Sequence, residues 1–141
     1  MKNIKDFIVE NIISEAAAKK HVGIIYSDWN KCKEYIENTY KKQVIAWFDT
    51  ADKIDDVNSI YDNLKKFGNK EGYIVFNMDL FDDKKENAAL QNALMPFIID
   101  SVIPVYHSND IDAKCKGIFC FTDKDEMSKP IAARLGELKT V

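Results

Sequence analysis

At 141 residues, with 46% apolar and 30% charged side chains, the chain has the makeup of one soluble α/β-sized domain and not of a disordered tract. Its net charge of −3 is spread over interspersed lysines and acids, so no basic face points to nucleic acid and no polybasic run to a membrane surface. No apolar run approaches the ~18 residues of a membrane span, and acids interrupt the apolar N-terminus where a signal peptide has none, so a cytoplasmic location is expected.

In chain order, residues 3–20 predict a helix, because Ile4, Phe7, Ile8, Ile12 and Ala16 recur every three or four positions. The run 22–26 (VGIIY) predicts a buried strand, with Ser27-Asp28 ending it. Asp28 or Asn30 then caps a helix over about 30–42, on which Cys32, Tyr35, Ile36 and Tyr40 share a face. Residues 44–48 (VIAWF) predict a second strand. A helix follows from about residue 52, with Ile54, Val57, Ile60, Tyr61 and Leu64 in register and Gly68 placed for a left-handed C-terminal cap.

Residues 73–76 (YIVF) predict the third strand, and a helix with Leu90, Ala93, Leu94, Phe97 and Ile98 inward comes next, bent by Pro96. Residues 102–106 (VIPVY) read as a short extended piece, with Pro104 placing it at an edge. Residues 117–121 (GIFCF) are the fourth strand. Residues 127–135 are a short helix stopped by Gly136, and 138–141 begin a fifth strand. Strands apolar throughout and alternating with helices imply a parallel sheet covered on both faces.

The chemistry-bearing residues are few. Cys32, Cys115 and Cys120 stand in no disulfide or zinc spacing, and with only His21 and His107 beside them no metal or other cofactor is expected. Cys32, near a helix start between Lys31 and Lys33, is where a thiolate would be favoured, whereas Cys120 reads as core. His107 offers a base for a serine triad, but no Gly-x-Ser-x-Gly frames a serine. The acid pairs Asp55-Asp56 and Asp82-Asp83 read as solvated turn residues. Trp29 and Tyr106 are candidates for a contact surface.

The segment 89–94 (ALQNAL), the Phe121-Thr122-Asp123 strand end and the Arg134-Leu135 helix end together resemble the AAA+ ATPase superfamily, most nearly its MoxR-like members. The likeness spans about 22–141 by order of elements and is carried at residue level by 87–135. It implies a three-layer, P-loop NTPase-like sandwich with strands in the order 5-1-4-3-2, preceded by the helix 1–20, all in one domain of 1–141.

The same resemblance marks what is missing. A phosphate-binding loop needs glycines for close backbone approach, a Lys and a magnesium-binding hydroxyl. At the matching place stand Ser27 to Glu34, where Lys33 aligns with the lysine, Cys32 replaces a glycine and Glu34 replaces the hydroxyl. Asn77 and Met78 occupy the two acidic positions after the third strand, with Asp79 two residues late and Glu86 farther on. Methionine cannot accept a proton. Asp123 replaces the sensor asparagine, Arg134 falls where the superfamily supplies an arginine finger, and the C-terminal helical lid is not in the sequence.

The expectation is therefore a non-catalytic, AAA+-like pseudo-ATPase acting through a protein partner or self-association, with Arg134 and Trp29 as interface candidates and no ATP bound. Its small size and Lys/Asn/Asp-rich composition fit a phage or mobile-element protein. The alternatives are a weak ATPase or nucleotide-binding protein using Lys33, Asp79 and Asp123, and a generic α/β small-molecule module with its ligand at the carboxyl ends of the strands.

Overall fold

A computed structural model describes residues 21–50, 60–105 and 109–141. Five strands form one sheet: β1 (His21–Ile25), β2 (Val44–Phe48), β3 (Tyr73–Asn77), β6 (Lys116–Phe121) and β7 (Leu135–Thr140). Their spatial order is β2-β3-β6-β1-β7 and every neighbouring pair is parallel. That is the order 5-1-4-3-2 of the predicted strands. The helices α1 (Trp29–Tyr40), α2 (Ile60–Leu64), α3 (Lys84–Asp100) and α4 (Lys129–Arg134) connect them. Two short strands, β4 (Val102–Ile103) and β5 (Ile111–Asp112), pair antiparallel as a separate ribbon.

Alternation along the strands divides the core in two. On one face Phe48, Ile74, Phe76, Phe119 and Phe121 pack with Ile60 and Leu64 of α2, Leu90, Leu94, Phe97 and Ile98 of α3, and Ile131 of α4. On the other, Val22, Ile24, Val75, Ile118 and Cys120 pack with Cys32 and Ile36 of α1. Phe48, Phe76 and Phe119 are register partners and stack in a row, with centroids 5.3 Å apart at each step. The same row continues to Gly23 and then Leu138. A side chain at Gly23 would meet Leu135 Cδ1 at 2.5 Å and Leu138 Cδ1 at 3.1 Å, so the missing Cβ is what lets both leucines lean onto the sheet.

Three expectations need correction. Gly68 does not adopt a left-handed cap; it is buried against Ile103, whose Cδ1 would lie 2.8 Å from an added Cβ, and its carbonyl accepts from the Lys114 N–H. The positive-φ glycine is Gly72, at +133°, where a Cβ would collide with the Gln43 carbonyl oxygen. The last helix ends at Arg134, not 135, and Gly136 lies inside β7 instead of stopping a helix. The strand takes up Leu135 and Gly136 through a register shift opposite His21 and Val22. Pro96, expected to bend its helix, lies inside α3, which runs on to Asp100 and closes with Ser101 in the left-handed region at φ 54°. The predicted helix 3–20 and the start of the one from residue 52 lie outside the described residues, as do Asp55-Asp56, Tyr106 and His107.

Candidate functional site at the carboxyl ends of the strands

The turn after β1 is three residues long. Asp28, in extended backbone, caps α1 with its side chain: Oδ1 accepts from the Asn30 N–H at 2.9 Å and from the Lys31 N–H at 3.4 Å. The first helical donors, which an anion would otherwise use, are thus met by the chain's own carboxylate. Trp29 opens the helix half-buried, its ring 5.3 Å from that of Tyr26. Trp29 is therefore packed on the core, and only part of it is open to a partner.

Lys33 lies within α1, not in a loop. Its Nζ sits 3.8 Å from Asp49 Oδ2 and 5.5 Å from the centre of the Trp47 ring. The Asp49 side chain is only 4% exposed, so Lys33 neutralises a buried acid just beyond β2. Cys32 is fully buried against Cys120. A hydrogen bond from the Cys120 thiol pulls Cys32 down, while burial and that same bond hold Cys120 protonated. Cys32 is not presented at the surface.

The ends of β1, β3 and β6 are joined by a polar network. The buried Tyr26 hydroxyl donates to Asn77 Oδ1 at 2.9 Å, and the Asp79 N–H donates to the same oxygen at 3.0 Å. Burial first, and then the charge of Asp79, push the Tyr26 phenol up to about 12, so it remains a donor. The Thr122 N–H donates to Asp79 Oδ2 at 2.6 Å. Met78 points into the core and is 1% exposed.

Asp123 caps the short 3-10 turn Lys124–Glu126, accepting from the Asp125 N–H at 2.9 Å. Glu126 is raised to about 7, chiefly by a hydrogen bond to Asp79, then by desolvation and by the charge of Asp79, with Lys84 opposing.

Sequence reasoning located Asp79 and the 89–94 segment but not what they do. Gln91, buried on α3, donates through Nε2 to the Glu126 carbonyl at 2.8 Å, and Oε1 accepts from the Ser128 N–H at 3.4 Å. It holds the loop between β6 and α4. Asn87 clamps the loop before α3, accepting from the Phe81 N–H at 2.9 Å and donating to its carbonyl at 2.8 Å. The signal for both was a polar residue at an inward helical position, masked by treating the segment as packing. Asp83 caps α3 by accepting from the Lys85 N–H at 2.8 Å, and Glu86 is exposed in the first turn.

A cavity of about 210 Å³ opens beside the network, lined by Lys84, Asn87, Ala88, Gln91 and Glu126. Lys33 and Asp123 are not among its lining residues. Arg134 is exposed at the last turn of α4. Among the described residues no three His, Cys, Asp or Glu side chains converge as metal ligands, and no helix is long and apolar enough to cross a membrane. No protein-family model matches the chain, and no curated protein matches it.

Proposed function

We propose that this chain is an AAA+-like pseudo-ATPase: a P-loop-type scaffold without nucleotide chemistry that works through protein contacts as a structural or regulatory subunit. The observation that carries the reading is the β1–α1 turn, closed by Asp28 on the amides where a triphosphate would have to sit. The strand order is that of the superfamily the sequence resembles, which supports the scaffold half of the reading. Lys33 engaged with buried Asp49, and Asn77 and Met78 turned to structural tasks, support the non-catalytic half. To bind a nucleotide, the chain would have to break the cap, draw Lys33 away from Asp49 and bring a polyanion toward two carboxylates.

Calorimetric titration with magnesium-ATP tests this. No saturable heat is expected up to about 1 mM nucleotide, and none is expected to be lost in Lys33→Ala. Micromolar affinity that disappears in Lys33→Ala would overturn the reading in favour of a nucleotide-binding protein that uses Lys33 and Asp79.

One observation favours a second reading, a small-molecule module. The cavity lies on the carboxyl side of the sheet and includes Glu126, whose proton is labile near pH 7. At about 210 Å³ it falls below the ~300–1,000 Å³ of ordinary ligand sites, which ranks this reading second.

A further inference from the structure

We infer that β7 is a self-complementary edge, and that two copies of this chain pair through it, antiparallel and centred on Leu138, to join their sheets into one. Among the described residues β7 has β1 as its only strand neighbour, and residues 136–140 are all exposed. Leu138, 43% exposed, is the one exposed large hydrophobic side chain among the described residues.

The direction of the free backbone groups follows from one bond. The Val141 N–H donates to the Ile25 carbonyl at 2.9 Å, so residues 141, 139 and 137 turn their backbone groups toward β1. Strand alternation then turns those of Leu138 and Thr140 outward, beyond the register shift at Gly136. In an antiparallel pair centred on Leu138, that residue exchanges both bonds with Leu138 of the second copy, and Thr140 lies opposite its Gly136.

The side chains fit the same register. Glu137 and Lys139 lie on the α1 face, as the position of Lys139 Nζ 6.0 Å from the Tyr35 ring centre shows. Centring on Leu138 sets Glu137 opposite Lys139 of the second copy, and Lys139 opposite its Glu137. These are the non-hydrogen-bonded positions, where side chains across a seam come closest. On the other face Leu138 meets Leu138 beside a cavity of about 360 Å³ that includes Met127, Ala132 and Leu135. A lysine on an edge strand ordinarily guards against pairing. Here the glutamate two residues away turns that guard into a selector, because this register meets every charge with its opposite.

The inference narrows the contact reading above to one surface and one partner, and rests on that reading only in that the chain acts by contact. A single strand seam is smaller than the ~1,200 Å² of most stable interfaces, so a dissociation constant of about 10–100 μM is expected. Sedimentation velocity should find monomer at about 1 μM and mostly dimer at about 300 μM. Glu137→Lys alone and Lys139→Glu alone should each weaken the dimer at least about tenfold, and the double swap E137K/K139E should restore it. All three are surface changes, and unfolding midpoints near that of the parent would confirm intact folds.

Hydrogen exchange on the unaltered chain is the second readout. The Leu138 and Thr140 amides should gain about tenfold protection at high concentration, while those of Lys139 and Val141 stay protected throughout. A chain that is monomeric at about 300 μM, single reversals that dimerise as well as the parent, or a swap no better than the singles would each overturn the inference. Nucleotide titration fails or succeeds separately: a dimer that binds ATP retires the pseudo-ATPase reading and keeps this one.

Discussion

His21 offers the sharpest quantitative test of how this fold is held. It begins β1 at the end of the sheet remote from the polar network, 1% exposed, with ring contacts to Phe97 at 5.2 Å and Phe119 at 5.3 Å. The Gly117 N–H donates to Nδ1 at 2.8 Å, so the proton is on Nε2, which donates to the Ile98 carbonyl at 3.1 Å. Charging the ring would put a second proton against the Gly117 N–H in an apolar pocket. Burial is accordingly the main cause that lowers His21 from 6.5 to about 4, against the opposing pull of the Ile98 carbonyl.

The unfolded chain therefore takes up this proton about two and a half pH units before the native one does. The stabilising difference is complete above the unfolded value and is lost as pH falls from about 6.5 toward 4. At pH 5 the loss from this group alone is about 2 kcal/mol, and at pH 4 about 3 kcal/mol. Urea unfolding of the parent and of His21→Gln between about pH 7.5 and pH 5 checks it. The variant should be weaker at neutral pH, because two buried backbone groups lose a well-shaped partner, and its stability should fall by about 2 kcal/mol less on acidification. Parallel pH profiles for the two proteins would refute the assignment of His21 as a buried neutral ring.

Two other consequences can be measured. Glu126, raised to about 7, has the opposite sign: its contribution is present at low pH and is lost as pH rises through 7. Carbon-13 titration should give the Glu126 carboxyl a midpoint near 7, moving toward its usual 4.5 in Asp79→Asn; an unchanged midpoint would mean that Asp79 is not the cause. Gly72→Ala should destabilise the chain by about 2 kcal/mol or more, because φ is +133° there and the new Cβ strikes the rigid Gln43 carbonyl. Gly68→Ala should be milder, since the atom it meets is the movable tip of Ile103. Equal losses at the two sites in denaturant titrations would contradict this distinction.

The sheet was legible because its strands are written as uninterrupted apolar runs. VIAWF became β2 residue for residue, and the other strands of the sheet moved by one to three positions. The strand order came from the resemblance alone, since periodicity says nothing about neighbours. The errors fall where a glycine has two possible uses. Gly68 and Gly136 both follow a helical pattern, and the sequence does not say whether the missing side chain serves a left-handed turn or close packing. At the site, the cap could be narrowed to Asp28 or Asn30 because capping is local, and Asp28 fills it. The links from Tyr26 to Asn77 and from Gln91 to Glu126 span 51 and 35 residues, and nothing in the local pattern announces them. Of the ribbon β4–β5, Val102 and Ile103 fall in the extended piece expected at 102–106, whereas its partner Ile111-Asp112 was not read because strands this short carry no period.

A turnover site keeps donors and charges in reserve for a transition state, and unpaired groups aimed at empty space are how it does so. Several polar groups among the described residues at the strand ends are already engaged. The α1 amides are taken by Asp28, the Asn77 carbonyl by two donors, one Asp79 oxygen by Thr122, and both ends of the Gln91 amide by the loop before α4. Such closure favours a platform that holds three strand ends and two loops in fixed relation. The unmet capacity lies instead along β7, where outward backbone groups, one exposed leucine and a Glu-Lys pair await a matching strand. If charge reversal along that edge breaks association and the double swap repairs it, β7 is the surface through which the chain meets its second copy.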